Sequence, residues 1–243
     1  MIVLFTDFGA SDLYVGQVKA ALLERLATAT PVLDLLHAVP SFRIDAGAHL
    51  LAALQPRFPP GTVFFAIVDP GVGSEREAAV VQADGKWYVG PDNGLLSVTA
   101  ARAPHARTWR IAWRPPALSA SFHGRDLFAP VAAWIADDAL PPGAIEPTGG
   151  LQVRLSAADL GRVIYVDHYG NALTGLRAQS VSPTATIAIG GRQLCCARVF
   201  AEAAADGAFW YANSIGLVEI AAPRASAARL LGIEVGDPVE ATD

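Results

Sequence analysis

Thr62-Val63-Phe64-Phe65-Ala66-Ile67-Val68, followed at once by Asp69-Pro70-Gly71-Val72-Gly73, decides the fold. The run is apolar at successive positions and not at alternate ones. A strand of that kind is covered on both faces, as in the middle of a parallel sheet. It stops at a carboxylate and a pair of glycines that let the backbone turn sharply. Ligands of open α/β sheets sit just past the carboxyl ends of the strands, and Asp69 stands at such an end. Ile2-Val3-Leu4-Phe5 repeats the pattern and runs into Thr6-Asp7-Phe8-Gly9.

Working outward, the first half alternates strands and helices. Val15, Val18, Leu22 and Leu26 fall at helical spacing within Asp12 to Thr30, with Ser11 or Asp12 as the cap. Val32 to Leu35 reads as a short buried strand, and Ile44, Ala48, Leu51 and Leu54 as the inner stripe of a second helix. Asp84-Gly85 joins Ala78–Ala83 to Lys86–Val89 as a hairpin. Gly94 to Ala101 and Asp126 to Ala136 read as helices. Leu140-Pro141-Pro142-Gly143 and Pro147-Thr148-Gly149-Gly150 read as a linker. Beyond it come short strands at Val163–Val166, Ala185–Ile189, Gln193–Val199 and Leu217–Ile220, with a Gly190-Gly191 turn. The expected architecture is an α/β sheet domain over residues 1–150 and a smaller all-β, barrel-like domain over 151–243.

Composition narrows the function. Of the 243 residues, 52% are apolar and 17% charged, which is enough for a sizeable core. The net charge of -5 argues against nucleic acid as partner. No apolar run is long enough to span a membrane, and the chain enters a strand without a leader-like segment. Cys195 and Cys196 are adjacent and read as reduced packing residues. A cytoplasmic protein acting on a small molecule is expected.

Each polar cluster has a plain reading beside a chemical one. Asp7 is either a turn cap or a carboxylate that grips a ribose diol. Asp12 caps the following helix or reaches the same ligand, the cap being favoured. Asp69 and Arg76 form an ion pair that braces the glycine turn, or face a reacting centre together. The glycines of this turn lack the third member of a phosphate-binding fingerprint. His123, in Phe122-His123-Gly124-Arg125-Asp126, stands at a helix entrance among small and polar neighbours. His37, His49 and His105 lack such company and read as packing or surface residues. Asn93, in Pro91-Asp92-Asn93-Gly94, and Asp167 and Asn171, in Asp167-His168-Tyr169-Gly170-Asn171, read as turns unless they join the site. No metal-ligand spacing and no serine-nucleophile elbow occurs.

Taken together, Thr6-Asp7-Phe8-Gly9, Asp69 to Arg76, Pro91 to Leu96, Phe122 to Asp126, Asp167 to Asn171 and Asn213-Ser214-Ile215-Gly216-Leu217 resemble the S-adenosyl-L-methionine hydroxide adenosyltransferases. These are related to fluorinating and chlorinating enzymes that act on the same substrate. The resemblance spans nearly the whole chain. It implies a homotrimer whose ligand sits between one subunit's first domain and a neighbour's second. It assigns the catalytic set to Asp69, Arg76 and His123, and ribose binding to Asp7. Asp167 and Asn171 would receive the methionine and adenine portions, and Ser214 would make a further contact. Phe8 and Phe42 would pack around the ligand, and Asp12 and Asn93 are counted among the substrate-binding positions. Gly124 stands where the fluorinating enzyme has a halide-contacting serine, and a hairpin replaces that enzyme's long insertion. The Pro223 in Ala222-Pro223-Arg224 stands where relatives place an asparagine near the adenine.

The expected reaction is hydrolysis of S-adenosyl-L-methionine to adenosine and L-methionine, with no metal and no cofactor. A chloride-using adenosyltransferase and a non-catalytic binding protein for adenosine or S-adenosyl-L-methionine are the competing expectations.

Overall fold

In the computed structural model, which describes residues 1–204 and 207–242, the deciding stretch is an interior strand of the first of two compact units. The first unit, Met1–Ala157, contains β1 (Ile2–Thr6), α1 (Leu13–Arg25), β2 (Val32–Leu36), α2 (Ile44–Leu54) and β3 (Val63–Ile67). It continues with β4 (Ala78–Ala83), β5 (Lys86–Pro91), α3 (Ser97–Arg102), β6 (Ala106–Ile111), α4 (Ala129–Ala136) and β7 (Ile145–Thr148). The strands form one 7-stranded sheet in the order β2-β1-β3-β5-β4-β6-β7. β1, β2, β3 and β5 run parallel, and β4, β6 and β7 join as antiparallel neighbours.

Every residue of β3 is buried, none more than 2% exposed. At about 1.5–3 kcal/mol for each large side chain, this strand anchors the unit. Phe65 and Ile67 pack with Val18 and Leu22 of α1 and Val131 of α4. Phe64 turns to the other face, stacking 5.1 Å from Tyr88, whose hydroxyl donates to Gln55 beside α2. Helices thus cover both faces, which is why β3 has no polar side.

The topology gathers chain ends at one edge. Thr6 is paired with Ile67, so Asp7 and Asp69 leave the sheet side by side. β5 ends at that edge too, and β4 begins there just after Arg76. The β4–β5 hairpin turns through Asp84 (φ 51°) and Gly85 (φ 72°), the left-handed pair that a two-residue turn demands.

Several expectations are corrected. β2 is the sheet's edge and not a buried strand: Leu33 and Asp34 are exposed because, among the described residues, no strand lies beyond them. α1 ends at Arg25, short of Thr30. α2 is buried nearly all round, beyond a single stripe. The proline-rich stretch at 140–150 is no linker, because it contains β7, paired along β6. The first unit also extends past Gly150. Gln152 and Val153 donate backbone N–H groups to the Asp92 carboxylate at 2.9 and 3.3 Å, and Leu155 N donates to Ser97 Oγ.

The second unit, Ala158–Asp243, holds β8 (Leu160–Val166), β9 (Ala172–Arg177), β10 (Thr186–Ile189), β11 (Arg192–Leu194), β12 (Phe209–Ala212), β13 (Leu217–Ala221), α5 (Ala227–Leu231) and β14 (Glu240–Thr242). Its strand ladders are antiparallel, in a 4-stranded sheet β12-β13-β9-β8 and a 3-stranded sheet β11-β10-β14. Isolated bridges at Cys196–Trp210 and Arg162–Pro238 join the two sheets at either edge, but no continuous ladder closes a barrel among the described residues. The expected strand 193–199 stops at Leu194. Cys196 is half-buried against the core, whereas Cys195 is exposed and does not pack.

Candidate active site

Arg76 organises the cleft at the carboxyl edge of the first unit. Its Nε donates to Asp69 Oδ1 at 2.8 Å and its Nη2 to Asp69 Oδ2, a two-pronged pair whose side chains are 11% and 5% exposed. The same Nη2 lies 3.3 Å from His123 Nδ1. Arginine carries no acceptor, so Nδ1 receives this hydrogen bond and the neutral ring keeps its proton on Nε2. Burial, and after it the charge of Arg76, pushes the His123 pKa below its ordinary value. Arg76 also rests over the Phe128 ring.

The glycine turn brings these residues together across the sequence. Gly73 has φ +80°, and a Cβ there would meet Ala120 O at 2.4 Å. The turn after β3 therefore lies directly against the segment leading to His123. That segment is pinned again where Ser119 N donates to Asp126 Oδ2 at 2.9 Å. Gly124–Phe128 then forms a single π-type turn into α4, a distortion common at functional sites.

Asp69 and His123 line a cavity of about 100 Å³ with Asp7, Phe8, Phe42 and Gly124. Asp7 is half-buried, and its pKa is raised by burial foremost and additionally by the Asp69 charge; its own backbone and that of Phe42 hydrogen-bond to it and oppose the shift. Phe8, Tyr14 and Phe122 make one aromatic wall with centroids 5.4 to 6.0 Å apart. Phe42 stands 75% exposed with φ 65°.

Asp12 and Asn93 lie outside this cavity. Asp12 Oδ1 accepts from Leu13 N at 2.7 Å and caps α1. Asn93 donates to Val68 O at 2.8 Å and accepts from Leu95 N, holding the end of β3.

Asp167, Asn171 and Ser214 line a separate cavity of about 840 Å³ in the second unit. Asp167 Oδ1 accepts the backbone N–H groups of Tyr169 and Asn171, and its Oδ2 accepts from Asn171 Nδ2 at 3.0 Å. Gly170 is required, since a Cβ there would lie 2.0 Å from Ser226 Oγ. Sequence reasoning passed over Glu219 and Tyr211, which line the same cavity. Glu219, 6% exposed, accepts from the Tyr211 hydroxyl at 2.5 Å and from Asn213 Nδ2 at 2.9 Å. Burial and the neighbouring Glu219 push the Tyr211 phenol well up. The signal was a lone charge inside the otherwise apolar Leu217–Ala221.

The cleft residues are acids, a histidine and an arginine without a cluster suited to metal. Among the described residues no group of at least three His, Cys, Asp or Glu side chains is placed to hold an ion. No helix is long and apolar enough to cross a membrane.

Residues 2–145 match the model for the SAM hydroxide adenosyltransferase N-terminal domain, and residues 161–240 the model for the C-terminal domain. An (R)-S-adenosyl-L-methionine hydrolase of Thermus thermophilus is 38% identical over 98% of each chain. A fluorinase of Actinopolyspora mzabensis is 23% identical over 100% of this chain and 97% of its own. The crystal structure of an uncharacterized conserved protein from Thermotoga maritima superposes with a TM-score of 0.88 at 30% identity, covering 100% of both chains.

Proposed function

The chain belongs to the SAM hydroxide adenosyltransferase family, and on that premise we propose that it hydrolyses S-adenosyl-L-methionine to adenosine and L-methionine. The observation that carries this reading is Arg76 tying Asp69 and His123 together in a cleft that Asp7 also enters.

The chemistry asks little of the protein. A sulfonium departs as neutral methionine, so no acid is needed for the leaving group. Water attacking the ribose 5′-carbon must lose a proton. Asp69 takes it: Arg76 aims the carboxylate, which keeps lone pairs beyond those two bonds. His123 is a poorer acceptor, because its free lone pair is already spent on Arg76 and its remaining ring nitrogen carries hydrogen. That Nε2–H is left to orient the water. Asp7 grips the ribose hydroxyls, and Phe8 and Phe42 pack on the ligand. Positioning can supply roughly 7–11 kcal/mol of the barrier in favourable cases.

The proposal includes a homotrimer in the cytoplasm that uses neither metal nor cofactor. Asp167, Asn171 and Ser214 of a neighbouring copy then receive the methionine and adenine portions. The support is the separate cavity these three line in the second unit.

Purified protein incubated with S-adenosyl-L-methionine and a chelator should release adenosine and methionine, read by chromatography. Asp69→Asn should lower kcat by about 10²–10⁴-fold. Wild-type protein that releases no adenosine, or that accumulates 5′-chloro-5′-deoxyadenosine in chloride buffer, would refute the assignment.

A further inference from the structure

His37, which the sequence leaves among the packing or surface residues, has surroundings that give it more to do. It is 8% exposed at the end of β2, and both ring nitrogens are engaged. Nε2 donates to Asp34 Oδ1 at 3.1 Å, and Asp34 Oδ2 accepts from Lys19 Nζ at 2.8 Å. Lys19 and His37 together lower the Asp34 pKa against the opposing effect of its burial. A carboxylate can only accept, so Nε2 carries the ring proton and Nδ1 is the acceptor. Nδ1 lies 2.8 Å from Thr6 Oγ1, which donates to it. Thr6 is fully buried at the end of β1, and its hydroxyl oxygen in turn accepts from Phe8 N at 3.3 Å.

The backbone repeats the connection. Gly9 N donates to His37 O at 2.7 Å, and Val39 N donates to Thr6 O at 3.1 Å. Phe42, a little further along the same segment, gives its N–H to the Asp7 carboxylate. The turn Thr6-Asp7-Phe8-Gly9 is therefore held on both sides by the segment following β2.

We propose that His37 is a positioning residue: through the Thr6 hydroxyl it fixes the turn that presents Asp7 and Phe8 to the cleft. It does not touch the ligand. The Asp34–Lys19 pair at the surface holds the imidazole in the tautomer this task requires. A hydroxyl backed by a histidine that is itself backed by an aspartate resembles a nucleophile triad, but full burial of Thr6 denies it any substrate. The network aims the neighbouring carboxylate instead. This inference rests on the proposed reaction for its kinetic consequence, while its structural content does not.

Thr6→Val keeps the shape of the β-branched side chain and removes only the hydroxyl. It should raise KM for S-adenosyl-L-methionine roughly tenfold with kcat changed little, within the ~10²-fold that an ångström of misplacement can cost. His37→Ala should do the same. The double variant should be no worse than the poorer single one, as expected for residues acting through one contact. Thr6→Ser should restore most of the lost kcat/KM. Amide hydrogen exchange at Phe8 and Gly9 should accelerate in Thr6→Val without any ligand present. Wild-type exchange at those amides together with wild-type KM in Thr6→Val overturns the proposal, as does strict additivity of the two losses. Wild-type protein that does not turn over substrate defeats the reaction assignment, while the exchange measurement still decides the role of His37.

Discussion

At the scale of single residues, Arg76 matters because it faces an acid and a histidine at once. Burial of the ring, and after it the Arg76 charge, keeps His123 neutral to lower pH than the ordinary value of 6.5. A depressed pKa contributes stability that is present above 6.5 and lost as pH falls through the folded-state value. The acid limb of kcat/KM should therefore lie below 6.5, measured as a pH–rate profile. Asp7 has the opposite sign. Its folded pKa is raised above 3.8, so its contribution is fully present below 3.8 and is lost as pH rises through the folded value. Asp7→Asn should thus melt at higher temperature than wild type at neutral pH. It should also raise KM at least ~10-fold, since hydrogen bonds to a charged group contribute about 1.5–3 kcal/mol. Greater stability with weaker binding would mark Asp7 as a group kept for its ligand. Asp12 is the contrasting acid: the sequence favoured a cap, and a cap is where it stands.

At the scale of elements, the decisive object is the turn Asp69–Gly73 pressed against residue 120. Replacing Gly73 by Ala would place a Cβ 2.4 Å from the Ala120 carbonyl oxygen, at a positive φ that itself disfavours side chains. A loss of about 2 kcal/mol or more is expected in denaturant unfolding, because backbone on both sides must move. Activity should fall further than stability accounts for, since the same contact brings His123 to Asp69. The strand and glycine pattern of this turn was visible in the sequence, but its partner was not. Nothing local to Ala120 announces that a backbone carbonyl there approaches a glycine so distant in the chain. The misread elements have a related cause. β2 has the composition of an interior strand, and only its place at the end of the strand order exposes Leu33. β7 is hidden in a proline-rich stretch because an edge strand tolerates Pro147, which a central one would not.

At the scale of the whole molecule, the residues assigned to one ligand divide between two units. Asp7, Phe8, Phe42, Asp69, Arg76 and His123 belong to the first, and Asp167, Asn171 and Ser214 to the second. If neighbouring copies complete each other's sites, the active species in solution should be an assembly. Light scattering should give about three times 25.4 kDa. Dilution below the assembly's dissociation constant should lower the specific activity, and a fully active monomer would exclude shared sites.

The alternation of strands and helices in most of the first unit, and the residue types standing at its strand ends, were written in the chain itself. Unbroken apolar runs demand burial on both faces, and a carboxylate or glycine placed where such a run ends marks the rim of the sheet. Local patterns of that kind depend on neighbours a few residues away, so one dimension suffices to see them. The tertiary structure alone decided which ends meet. Thr6 beside Ile67, Gly73 against Ala120 and His37 beneath Thr6 are contacts between distant segments, created by strand order and by backbone approach. That is why His37 becomes informative only once its partners are in place, whereas Glu219 shows in the sequence as a lone charge whose partners only the fold supplies.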